Sequence, residues 1–187
     1  MTSRQAQARP RDPGDSERNR RILPLGLAAG VLLADQLSKH WVGAHLRVGV
    51  VRPFLPGLLE LHSVRNTGAA FSLFSGSTEA LGLVSLLVSA ALLAWILLAP
   101  PRGIWLTLAV GFLLGGAAGN GIDRWRHGAV IDFLAFVPVS FPVFNLADVA
   151  INLAVACLLL DQLLPLLRPS KPSLQGSRGG NRPDRHD

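Results

Sequence analysis

Apolar residues in this chain fall into four long runs, at 22–40, 78–99, 104–122 and 143–167. Each is close to the roughly 20 residues an α-helix needs to cross a hydrocarbon core of ~30 Å, so each predicts a spanning helix. The stretch between the first two runs has another pattern. Val48-Gly49-Val50-Val51 and the run from Leu58 to Val64 are short, β-prone and broken by Pro53, Pro56 and Gly57, which predicts strands over about 43–65. Backbone that is not helical cannot face lipid tails, so this segment must lie at the membrane surface or pack on protein. The third run repeats Gly111, Gly115 and Gly119 at a spacing of four, a stripe that lets helix backbones approach closely.

Composition agrees with the pattern. Hydrophobic residues make up 49% of 187 residues, and the mean hydropathy of +0.36 belongs to the membrane class. The first run follows a basic stretch, as a secretory signal does, but it ends on Asp35-Gln36-Leu37-Ser38-Lys39 without a small-residue cleavage site, and three more spans follow. The net charge of +6 is uneven: arginines crowd residues 1–21 and the tail 168–187, which are expected to be disordered and basic. With Arg102 in the short turn between the second and third spans, the positive-inside rule places both termini in the cytoplasm. The expected fold is an all-α polytopic membrane protein, with four transmembrane helices in a single domain over 22–167 and a small extracytoplasmic β-structure between helices 1 and 2. Trp41, Trp105 and Trp125 fall near span ends, as belt residues do, and Arg126 has the position of a snorkelling side chain. Basic residues interleaved with aromatics are missing, so nucleic acid is not an expected partner. The lone Cys157 sits in an apolar run, no metal-ligand spacing occurs, and neither a metal nor a cofactor is expected.

On this topology the polar intramembrane residues share one face of the membrane. Asp35 and Lys39 end the first span; Asn120, Asp123 and Arg124 end the third; Asn145, Asp148 and Asn152 open the fourth; Asn66 and Asp132 lie in the outer loops. Asp35/Lys39 and Asn120/Arg124 are i, i+4 pairs, and Asn145/Asp148/Asn152 form one helical stripe. Three stripes at one depth are most economically pointed at a common interior site. Asp161, near the inner end of the fourth span, reads as a boundary charge. Two acids in a dry site cannot both ionise freely, so one can act as base and the other as acid. Asp35 and Asp123 each have a nearby cation candidate and read as neutralised structural acids. Asp132, on a flexible loop, and Asp148, fixed on the fourth helix, are the pair expected to meet across a substrate. A proton-coupled transporter using the acids as a relay is the alternative.

Asp35-Gln36-Leu37-Ser38-Lys39, Asn66-Thr67-Gly68-Ala69-Ala70-Phe71-Ser72, Gly119-Asn120-Gly121-Ile122-Asp123-Arg124 with Gly128-Ala129-Val130-Ile131-Asp132-Phe133, and Phe144-Asn145-Leu146-Ala147-Asp148 together resemble the motif blocks of bacterial lipoprotein signal peptidases (signal peptidase II, peptidase family A8), in family order. The resemblance implies an aspartic endopeptidase of the bacterial cytoplasmic (inner) membrane that needs no cofactor. It would remove the signal peptide from prolipoproteins whose cysteine already carries diacylglycerol. Asp132 and Asp148 would be its catalytic dyad. Asp35, Lys39, Asn66, Gly68, Asn120, Asp123, Arg124 and Asn145 would support the site or contact substrate. The resemblance also implies a short surface helix at about 69–74. The expected partners are diacylglyceryl-prolipoproteins and membrane lipids, and the expected state is a monomer.

Overall fold

The computed structural model describes residues 13–68 and 77–167. Its elements are, in order, α1 (Pro13–His45), β1 (Val51–Leu55), β2 (Leu59–Asn66), α2 (Thr78–Leu98), α3 (Ile104–His127), β3 (Val130–Phe136) and α4 (Leu146–Leu166). The four helices are each long and apolar enough to cross a membrane, and the chain is a multi-pass membrane protein.

Several boundaries differ from those expected. The first helix begins at Pro13, so residues 13–21, expected in a disordered tail, are helical. Proline suits a first helical turn, and arginine is a good helix former, so polarity alone did not mark the helix start. The third helix runs on to His127, and the fourth starts at Leu146. The surface helix expected at about 69–74 and the tail 168–187 lie outside the described residues.

α3 is the central helix. Within its apolar 18-residue stretch 61% of residues are buried, against 11% for that of α2, because its glycines bring neighbouring backbones close. A Cβ on Gly111 would stand 2.9 Å from Pro24 O, and one on Gly115 would stand 2.7 Å from Ala28 O, both on α1. One on Gly116 would meet Ala147 O of α4 at 2.7 Å. The half of the bundle away from the sheet is filled by Ala28, Leu92, Ile96, Val110 and Leu114.

The sheet has the order β1-β2-β3, antiparallel throughout. Only β1 and β2 come from the segment between the first two helices. β3 belongs to the connection between α3 and α4, where a flexible loop was expected. Gly128 ends α3 in the left-handed region (φ 66°), its N–H donating to Arg124 O at 3.1 Å, and this reversal feeds the chain into β3. β3 then pairs with β2, Val64 opposite Asp132 and Asn66 opposite Val130. Phe133 and Leu134 pack on Val42 and Leu46 at the end of α1. On its other side β3 is tied to residue 144: Leu134 N donates to Phe144 O at 2.8 Å and Phe144 N to Leu134 O at 2.9 Å. The strand therefore holds the entry to α4 as well as its own residues.

Candidate active site

The polar residues gather at the sheet end of the bundle, in two layers. In the inner layer Lys39 Nζ lies 2.8 Å from both Asp35 Oδ2 and Asp123 Oδ2, and all three side chains are buried. Each acid has further donors. Ala147 N donates to Asp35 Oδ1 (2.9 Å), Ile131 N to Asp123 Oδ2 (3.3 Å), and the Gln36 amide to both acids (3.2 and 3.0 Å) and to Gly119 O (3.3 Å). One cation between two carboxylates satisfies charges that would otherwise be very unfavourable in the interior. The layer also ties α1 to α3, to β3 and to the first turn of α4. Gly119 is part of the fit, since a Cβ there would stand 2.6 Å from Asp35 Oδ2.

The outer layer holds Asp132 and Asp148, and amides join it to the first. Lys39 can only donate, so the Asn120 group that it meets at 3.0 Å must be the carbonyl oxygen. This turns the Asn120 amide nitrogen toward Asp148 Oδ1, to which it donates at 2.8 Å. Asn145 Nδ2 donates to Asn120 Oδ1 (3.2 Å) and to Asp132 Oδ1 (2.6 Å). Asn145 also caps α4 in a reciprocal box: its Oδ1 accepts from Asp148 N (2.9 Å), and Asp148 Oδ2 accepts from Asn145 N (3.2 Å). Asn66 Nδ2 donates to Asp132 Oδ2 at 2.9 Å, and Asn66 Oδ1 accepts from Gly68 N at 2.9 Å. All four oxygens of the two aspartates thus accept from an amide, and Asn145 bridges them directly. Burial pushes the Asp132 carboxyl up to about 6 from its ordinary 3.8. The Asn66 amide opposes the rise, the charge of Asp148 adds to it, and Asn145 and Lys39 oppose it.

Both aspartates line a groove of about 1290 Å³ that opens between α2 and α4. Leu81, Val84 and Val88 form one wall, Val149 and Leu153 the other, with Asn66 and Gly68 at the sheet end. Arg124 lines it too. Its guanidinium donates to Gly68 O (3.3 Å), Asn120 O (3.4 Å) and Ser85 Oγ (3.5 Å), while its buried Nε has no hydrogen-bond partner.

The ten residues singled out from the sequence, Asp35, Lys39, Asn66, Gly68, Asn120, Asp123, Arg124, Asp132, Asn145 and Asp148, are all in this network. Three details differ from expectation. Asp123 is neutralised by Lys39 from α1, not by the adjacent Arg124. Asp132 lies within a strand and is 2% exposed, not on a flexible loop. Among the described residues, Asn152 donates only to Asp148 O, one helical turn back. Gln36 and Ser85 were not singled out. The signal for Gln36 was its place inside the Asp35–Lys39 turn; Ser85 looked like one small residue among many in an apolar span. A relay across the membrane is not favoured, because the buried acids among the described residues, Asp35, Asp123 and Asp132, all lie at the sheet end of the bundle.

A model of the Signal peptidase (SPase) II family matches residues 27–164. The chain is 59% identical over 140 residues to the "Lipoprotein signal peptidase" of Synechococcus sp. (strain RCC307), covering 73% of this chain and 91% of the relative. It is 54% identical over 142 residues to that of Parasynechococcus marenigrum (strain WH8102), covering 76% and 89%. A solved structure described as "Bacterial membrane enzyme structure by the in meso method at 2.3 A resolution" superposes with a TM-score of 0.71 at 27% identity, covering 80% of this chain and 92% of its own. A second, at 1.9 Å, gives a TM-score of 0.66 at 27% identity, covering 79% and 94%. The family match takes in all four helices, the sheet and both polar layers, and the chain belongs to the signal peptidase II family of membrane peptidases.

Proposed function

We propose that Asp132 and Asp148 are the catalytic dyad of a peptidase that cuts prolipoproteins before a diacylglyceryl-modified cysteine. The observation that carries this reading is the contrast in charge. Asp35 and Asp123 share the ammonium of Lys39, whereas Asp132 and Asp148 are joined through Asn145, make no ion pair among the described residues, and face the groove. A signal peptide enters between α2 and α4, its helix unwound near the dyad, with the acyl chains along the apolar walls. The lowered affinity of a buried Asp132 for charge makes it the proton carrier, and water exclusion by the substrate strengthens that preference. Asp148 takes a proton from water. The resulting hydroxide attacks the carbonyl carbon before the cysteine while Asp132 gives its proton to the carbonyl oxygen. Collapse of the tetrahedral species breaks the C–N bond as Asp148 passes the proton it took from water to the departing amine, and a hydroxyl of the tetrahedral species returns a proton to Asp132, leaving a carboxylic acid and a free amine. Arg124 Nε–H, which has no partner, and the Asn66 amide are donors for freed substrate carbonyls, which are very unfavourable in lipid if left unpaired.

The charge pattern orients the chain with both termini in the cytoplasm and the dyad near the outer face of the cytoplasmic membrane. The helices pack through α3 within one chain, so a monomer with a lipid-filled surround suffices. The test is processing of a lipidated prolipoprotein by the wild type, Asp132→Asn and Asp148→Asn, each inserted normally. Both variants should accumulate precursor; full cleavage by either removes that residue from the dyad.

A further inference from the structure

At the end of the bundle opposite the dyad, the turn 99–103 and the start of the apolar part of α1 border an open surface cavity of about 420 Å³. Two guanidiniums line it, Arg20 from α1 and Arg102 from the turn. Neither makes an ion pair or hydrogen bond among the described residues, and both are exposed. The facing acid is Asp161 of α4, whose Oδ1 would stand 3.8 Å from a Cβ on Gly103. Among the described residues, two cations stand against one carboxylate and leave the cavity positive. Its remaining lining changes character with depth. Leu23 and Ile104 are about half exposed and belong to the lipid-facing surface, while Thr107, whose hydroxyl donates to Gly103 O at 2.7 Å, is buried.

A cavity of this size falls within the range of small-molecule pockets. It is cationic at the rim and apolar at the side, and it sits where a spanning helix leaves the hydrocarbon. Those properties match the phosphodiester headgroup of an anionic lipid, its phosphate between two forked donors and its first methylenes against Leu23 and Ile104. We propose that Arg20 and Arg102 form a binding site for an anionic phospholipid headgroup at the end of the bundle away from the dyad. The site does not depend on which aspartates are catalytic.

The test uses the full chain in neutral detergent, with the thermal unfolding midpoint followed during titration with short-chain phosphatidylglycerol, short-chain phosphatidylcholine or inorganic phosphate. Phosphatidylglycerol should raise the midpoint saturably. Arg20→Gln or Arg102→Gln should weaken its apparent affinity about fivefold each, and the double variant roughly thirtyfold. A charge-matched variant in the tail, Arg178→Gln/Arg182→Gln, should leave the affinity unchanged. Equal binding of phosphatidylcholine, equal binding of inorganic phosphate, or equal weakening by the tail variant would overturn the proposal. Since Arg20 and Arg102 are solvent-exposed, retained prolipoprotein processing by both variants reports that the fold is intact.

Discussion

Two pairs of aspartates stand at the same end of this helix bundle, and they are held in opposite ways. Asp35 and Asp123 share the ammonium of Lys39 and are sealed from the groove. Asp132 and Asp148 receive only amide donors and open onto the groove. The layers touch through Asn120, whose oxygen faces Lys39 and whose nitrogen faces Asp148. The two pairs therefore differ in the location of a single cation, the ammonium of Lys39. A carboxylate beside a buried cation has its charge compensated, whereas one held only by amides does not.

Breaking the outer pair should have the largest effect. Asp132→Asn or Asp148→Asn is expected to lower prolipoprotein cleavage about 10⁴-fold, about 5.5 kcal/mol of transition-state stabilisation, with insertion unchanged. Asp123→Asn should instead reduce the yield of folded protein while the folded fraction cleaves within about tenfold of wild type. Single-turnover cleavage by purified proteins separates the two outcomes.

Removing the cation strikes the inner pair. Lys39→Met leaves two buried carboxylates uncompensated and should destabilise the fold by about 3–5 kcal/mol, read as a fall in the unfolding midpoint in detergent. If its midpoint matches that of the wild type, the layer is not held by charge.

A pH series sharpens the comparison for Asp132. Below about pH 4 its carboxyl is protonated in both the folded and the unfolded chain. From there to about 6 the unfolded chain loses its proton first, so stability falls as pH rises, by about 3 kcal/mol in total for a rise from 3.8 to about 6. Above about 6 the loss is complete. Asp132→Asn should lack this step, and an unchanged step would assign it to another group.

The smallest effect is expected from Asn66→Ala. Losing its bond to Asp132 Oδ2 should slow cleavage about tenfold and move the pH step to a more alkaline value, because the bond favours the charged carboxylate.

The helices and the polar cluster were legible in the sequence because both depend on local spacing. Runs of about 20 apolar residues, and acids and amides three or four apart on a helix, carry their geometry with them. The strand character of 130–136 was not legible. Asp132 sits in Val130-Ile131-Asp132-Phe133-Leu134, apolar on both faces, so the alternation that marks a surface strand is absent. Its partner, β2, lies on the far side of two helices in the sequence. The true partner of Asp123 was hidden for the same reason: Arg124 is adjacent, but neighbouring helix positions point apart, and Lys39 arrives from another helix. The extension of α1 back to Pro13 was missed because a hydropathy reading finds spans, not helices.

The centrality of α3 bears on how the chain is made. Enclosed by its three neighbours, α3 keeps little apolar surface for lipid, and its trailing end carries Asn120, Asp123 and Arg124. A segment of that kind is a poor candidate for entering a bilayer alone. α2, the most apolar of the four, precedes it by only the turn 99–103. The two are therefore expected to enter the membrane as one hairpin, α2 supplying the partition energy and α3 travelling with it. Lengthening that turn with a flexible polar insert should cause α3 to be left outside the bilayer in part of the population, a biogenesis defect that no property of the finished active site would reveal.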